Sequence, residues 1–238
     1  MKTHHTKNPA IDPIVHLWLL RILMKLGGRR KFIGSHGFNN DTLAEILGLG
    51  QWINSSWDEH DRKTVQTKLH QSLQQAEKKW SRFLPPACLR TNVGQLSRLV
   101  GLSETDCRIL EFTILLHTER LLDDVADWIG ELSSAKVFHA LSVILNLPEA
   151  EIRTSLGAHG ILARSGLISI SRSNTGYLRS KLELLSDGFA DLMVSTESDP
   201  VSLLRGTVSA ASPRQLRLAD YSHIQNKAYR VSNEILAA

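Results

Sequence analysis

Apolar residues recur every three or four positions along most of the chain, which is the spacing of amphipathic helices. The first predicted helix, about 13–26, is apolar on nearly every side and should be largely buried. Gly27-Gly28 then ends it, because glycine commonly closes helices. Further helices are predicted at about 40–47, 56–80, 87–100, 103–115, 121–132 and 134–145, with another starting at Pro148. The chain is therefore predicted to be mostly helical.

Polar residues mark several of these helix starts. Ser56 with Glu59 has the three-residue spacing of a capping box, in which side chains bond to free backbone amides, and Ser103 and Asp106 are expected to open the helix that follows them. Asn40 is expected to cap the short helix that follows it. The sequence thus predicts where these helices begin.

The apolar pattern changes to alternation after Gly166. Residues 167–172 and 178–184 alternate as two short strands, and 173–176 is typical of the loop between them. Two helices, a turn and then a hairpin form the order of a winged helix-turn-helix. The predicted fold is mostly α, with a multi-helix bundle followed by a winged helix-turn-helix with a short β-hairpin.

The order of these elements suggests three regions. We expect an N-terminal helical domain over 1–100 and a helical, winged-helix-like domain over 101–195. Residues 196–238 are predicted to form a short helix from Asp199-Pro200, a linker at 208–213 and a C-terminal helix.

Composition indicates a folded protein, since 42% of residues are hydrophobic and 22% are charged. Residues 1–100 contain 15 Lys and Arg against 7 Asp and Glu, whereas 101–238 contain 13 against 17. The basic first part fits nucleic acid, a membrane surface or an acidic partner, although solubility explains the excess as well. Cys88 and Cys107 both lie in apolar helical patterns, as expected in a reducing compartment. No apolar run is long enough for a bilayer of about 30 Å, so we expect a cytoplasmic protein without membrane association.

The sequence contains no complete catalytic motif. A phosphate loop of the form GxxxxGK[ST] is absent, and Gly34-Ser35-His36-Gly37 has its serine too early for a hydrolase elbow. The histidines and cysteines do not form a zinc-binding pattern. The acidic residues Asp123, Asp124, Asp127 and Glu131 fit a metal or a basic partner, but a solvated helix face is the simpler interpretation. We therefore expect a protein that is not an enzyme and needs no cofactor or metal.

Two groups of basic residues are candidate contacts for nucleic acid or a partner. Arg164, Arg172, Arg179 and Lys181 surround the predicted hairpin, and Arg29, Arg30 and Lys31 follow the first helix. Cations also stabilise a helix carboxyl end, which accounts for the second group without a ligand. The helix that would enter a DNA groove contains Glu149 and Glu151 with only Arg153, so it should repel phosphate. Protein docking is favoured over DNA binding for this reason.

Several stretches resemble the amino-terminal region of bacterial AAA-family ATPases. They are Val100–Phe112, Leu115–His117, Leu121–Asp124, Gly130–Ser134, Leu147–Ile152 and Leu162–Leu167, extended by His16–Leu20, Leu184–Asp187, Asp199–Arg205 and Leu218–Tyr221. The resemblance covers roughly residues 14–224. In that family the ATPase module, with its phosphate loop and arginine finger, follows this region. None of those catalytic residues has a counterpart here, and Val231–Ala238 ends where the module would approach.

The resemblance implies a non-catalytic accessory or regulatory domain. It would dock a substrate protein, a partner subunit or nucleic acid for an AAA-type motor, with the ATPase module supplied in cis or in trans. The alternative is a DNA-binding regulator that uses the winged helix. A third interpretation is a non-functional remnant of a longer gene.

Overall fold

The computed structural model describes residues 11–79, 84–186 and 188–195. The helices are α1 Pro13–Lys25, α2 Arg29–Phe32, α3 Asp41–Ile46, α4 Glu59–Lys79, α5 Ala87–Val100, α6 Glu104–Thr118, α7 Arg120–Ala126, α8 Ser134–Leu145, α9 Glu149–Leu156, α10 Ile161–Arg164, α11 Leu178–Lys181 and α12 Phe189–Ser195. The strands are β1 Ile168–Ile170 and β2 Leu182–Leu184, and 3₁₀ turns form at Gly50–Trp52 and Asp127–Ile129. The protein is mostly helical with a small sheet, as the apolar periodicity predicts.

Helix α1 lies at the centre of the packing, and its predicted burial is confirmed. It contacts α4, α7 and α8, and most of its side chains are fully enclosed. Trp18 meets Phe112 of α6 edge to face, with ring centroids 5.1 Å apart. Such aromatic pairs add to the free energy gained from apolar burial alone.

The helix starts are predicted correctly in two cases and wrongly in a third. Ser103 and Asp106 open α6 as predicted, and they do so through a capping box. The Asn40 side chain caps α3 by accepting a hydrogen bond from the Leu43 amide at 2.8 Å. Ser56 and Glu59 do not cap α4. Asp58 and Asp61, which have the same three-residue spacing, exchange the capping bonds instead. The Trp57 indole, just before them, donates a hydrogen bond to the Trp52 carbonyl.

The hairpin is antiparallel, with Ile168 opposite Leu184 and Ile170 opposite Leu182. The predicted return strand over 178–184 is wrong in its first half, where the chain forms the helical turn α11. Leu178, Lys181 and Leu182 are all buried there, and this i, i+3, i+4 spacing is helical. The apolar positions of this segment fit both the two-residue period of a strand and the 3.6-residue period of a helix. Burial of these side chains against the rest of the protein stabilises the helix.

The hairpin loop is attached to the segment that follows α7. Leu132 and Gly176 pair through two backbone hydrogen bonds of 2.8 and 3.2 Å. The Thr175 hydroxyl donates to a Glu131 carboxylate oxygen at 2.9 Å. The loop is therefore bound to the helical body by both backbone and side-chain contacts.

The described part of the structure does not test the predicted domain boundary or the elements predicted for the C-terminal region. The boundary between residues 100 and 101 stays a prediction, and the linker and helices expected over 196–238 lie outside the described residues. No helix in the described part of the chain combines the length and apolar character that crossing a bilayer requires.

Candidate docking site

A cleft of about 960 Å³ opens beside the hairpin. One side is formed by His117 at the end of α6 together with Asp123 and Asp127. The other side is formed by residues of the hairpin, among them Tyr177, Arg179, Glu183, Leu182, Leu184 and Leu185. The cleft therefore lies between two parts of the chain that are far apart in sequence.

His117 connects the two sides of the cleft. Its Nε2 lies 2.9 Å from the Leu182 carbonyl oxygen, and since a carbonyl only accepts, this nitrogen carries the proton. Burial lowers the pKa of His117, and the nearby Arg179 acts in the same direction. A neutral imidazole with its Nε2 proton committed to a carbonyl acts here as a structural hydrogen-bond donor.

An ion pair makes a second connection. Arg179 Nη1 lies 2.9 Å from Asp123 Oδ2, and the side chains are 48% and 23% exposed. Water reaches both groups, so this pair stabilises the fold only modestly, by about 0.2–1 kcal/mol. The contact nevertheless neutralises Asp123.

Two further carboxylates remain in the cleft. Asp127 is exposed and has no ion-pair partner among the described residues, and burial together with Asp123 and Asp124 raises its pKa. Glu183 is also exposed, and one of its carboxylate oxygens accepts a hydrogen bond from the Ser169 hydroxyl at 3.1 Å. This bond directs the Glu183 carboxylate towards β1, where it lines a second pocket with Ser169 and Arg172. On the α7 side of the cleft, Asp123 and Asp127 face the single guanidinium of Arg179.

The basic residues predicted around the hairpin separate into distinct environments. Arg164 and Arg172 are exposed and make no ion pair within the part of the chain that is described. Arg179 is paired with Asp123. Lys181 is fully buried, and its Nζ donates to the carbonyls of Ser171 and Ser173 at 2.6 and 2.8 Å. Its ammonium is committed to the hairpin backbone and is not presented at the surface.

The second basic group forms α2. Arg30 and Lys31 are exposed, and Arg29 is half-buried. The buried Phe32 stacks on Trp128 with ring centroids 5.9 Å apart, which places α2 against the 3₁₀ turn that follows α7. The hairpin loop contacts the same region through Leu132.

The acidic group is more than the solvated face that the sequence suggests. Asp123 and Glu131 both bind side chains of the hairpin, Arg179 and Thr175. The partners lie 56 and 44 positions away, so helical spacing gives no indication of them. Sequence patterns also do not single out Tyr177, which the fold places in the lining of the cleft.

The polar side chains of helix α9 bind one another or neighbouring side chains. Glu149 Oε1 accepts from two Arg153 nitrogens at 3.0 and 2.6 Å, and those bonds are the main cause of its lowered pKa. Glu151 accepts from the Thr105 hydroxyl at 2.7 Å, and the Arg153 guanidinium lies 4.7 Å from the centre of the Phe138 ring. The exposed face of this helix is thus a mixed surface of paired charges.

Comparison with protein-family models, with curated proteins and with solved structures finds no match. In the described ranges, His, Cys, Asp and Glu side chains do not form a group of three or more that is placed to bind a metal ion.

Proposed function

We propose that this chain is a docking module that works with an AAA-type ATPase and contributes binding without ATP turnover. The cleft beside the hairpin is the surface that would contact the partner protein. The observation that carries the proposal is this cleft itself, about 960 Å³ in volume and open between the α7 region and the hairpin. The link to an AAA-type motor rests on the sequence resemblance.

The chemistry of the lining supports recognition. Carboxylates, a guanidinium and an exposed phenol supply charge and hydrogen bonds, while the half-buried Leu184 and Leu185 supply apolar surface. Protein interfaces combine these features, with an apolar centre and a polar surround. The Nε2 proton of His117 is donated to the Leu182 carbonyl, which links α6 to the hairpin at the base of the cleft.

Attachment of the hairpin also supports a docking role. The Leu132–Gly176 pairing and the Arg179–Asp123 ion pair fix the two sides of the cleft relative to each other. A preformed surface loses less conformational entropy when a partner binds than a mobile one does. The cleft is therefore suited to bind a partner without rearrangement.

Site-specific photo-crosslinking in the native cell tests this proposal. A photoreactive amino acid at Ser180, which lines the cleft, should crosslink to a protein that carries a phosphate-loop ATPase module. The control position is Gln75, an exposed residue of α4 outside the cleft lining, which should not crosslink to that protein. Mass spectrometry identifies the partner, and the purified chain should not hydrolyse ATP.

Two results would overturn the proposal. One is equal crosslinking of the same ATPase from positions 180 and 75, which would show that the contact is not at the cleft. The other is ATP hydrolysis that follows the purified chain through successive columns.

A second candidate function is binding of the DNA backbone by a winged helix. The order α8, α9, α10, β1 and β2, with the Leu132–Gly176 bridge adding a third backbone segment next to the hairpin, supports it. Arg164 and Arg172 are exposed and available for phosphate. The paired charges of α9 count against reading of bases, so the expected contact is independent of sequence.

Salt dependence tests this second function. If Arg164 and Arg172 each contact a phosphate, reversing both to Glu should abolish binding to a random duplex at low salt. The logarithm of the wild-type binding constant should fall linearly with the logarithm of the salt concentration. The slope should be about 0.9 for each phosphate contact. Absence of wild-type binding at low salt removes this candidate.

A further inference from the structure

We draw no further inference here: the strongest candidate, the pocket of about 670 Å³ that Ser169, Arg172 and Glu183 line between the α9–α10 turn and the hairpin, carries none, because these polar side chains are exposed and nothing in the described residues shows what binds there.

Discussion

The guanidinium of Arg21 is fully buried in α1 and bonds to both carboxylate oxygens of Glu77 on α4, at 3.0 and 2.9 Å. Arg21 Nη1 also donates to the Ile144 carbonyl at 2.6 Å, and Lys25 lies 2.8 Å from Glu77. One arginine therefore connects α1, α4 and α8. A buried cation costs free energy unless such partners compensate it.

Replacing Glu77 with Gln should destabilise the protein. The substitution leaves the Arg21 charge buried without an anion, and such changes cost about 3–5 kcal/mol when both groups are enclosed. Glu77 is 27% exposed, so water compensates in part and we expect a loss of about 2 kcal/mol in the free energy of unfolding. Urea denaturation of the two proteins measures this change in the free energy of unfolding. The surface pair of Lys63 and Glu59 is the control, since Glu59→Gln should change stability by less than about 0.5 kcal/mol.

The same pair gives a pH dependence at the acidic end. The hydrogen bond from Arg21 is the main cause that lowers the pKa of Glu77 to about 2, against an ordinary value of 4.5. Its stabilising contribution is present above pH 4.5 and is lost as the pH falls towards 2. The stability difference between wild type and Glu77→Gln should therefore shrink over that range. A constant difference from pH 6 to pH 2 would contradict this.

Titration of Glu111 should lower the stability of the protein as the pH rises, whereas titration of Glu77 lowers it as the pH falls. Burial in α6 raises its pKa to about 7, so the folded state favours the neutral carboxyl group. This contribution is present below pH 4.5 and is lost as the pH rises through about 7. Glu111→Gln should remove a loss on the order of 3 kcal/mol between pH 5 and pH 9. Unfolding midpoints of the two proteins across that range provide the measurement, and parallel curves would disprove the assignment.

Gly160 is required between α9 and α10 for steric reasons. A Cβ at this position would overlap the Ser155 carbonyl oxygen and lie 2.5 Å from that of Thr154. Gly160→Ala should therefore destabilise the protein by about 2 kcal/mol or more. Gly94 is the matched control, because it lies in α5 with open space around it, and Gly94→Ala should stabilise by about 0.5–1 kcal/mol. Thermal unfolding should show shifts of opposite sign.

Lys181 should prove structural. Lys181→Met removes the ammonium that donates to the Ser171 and Ser173 carbonyls, and it should lower stability by about 2 kcal/mol. Arg172→Met, at an exposed position in the same hairpin, should have an effect below about 0.5 kcal/mol. Hydrogen exchange of the hairpin amides is the more direct measurement, and equal protection in both variants would exclude this role.

Much of the helical architecture follows from the sequence because helix formation is largely local. The burial of α1 and the cap formed by Ser103 and Asp106 depend on residues within a few positions of one another. The cap predicted for α4 is wrong because Asp58 and Asp61 have the same spacing as Ser56 and Glu59, and in the structure the two aspartates exchange the capping bonds. The strand predicted over 178–181 is wrong because the apolar spacing of this segment fits a strand and a helix equally well.

The cleft could not be predicted from the sequence. Its central contact joins Asp123 to Arg179, and its other connection joins His117 to a backbone carbonyl that any residue could supply. Composition indicated an acidic second half, but not which carboxylates remain unpaired. That information depends on how α6, α7 and the hairpin meet, which is set by packing.

The pairing of Leu132 with Gly176 has a consequence for biosynthesis. The side of the cleft that contains Asp123 and Asp127 leaves the ribosome before Tyr177 and Arg179 have been translated. The cleft can therefore close only after α8, α9 and α10 have emerged, and a nascent chain arrested before residue 176 should lack it. A partner that recognises the cleft would in this way distinguish chains that already contain the hairpin from shorter ones.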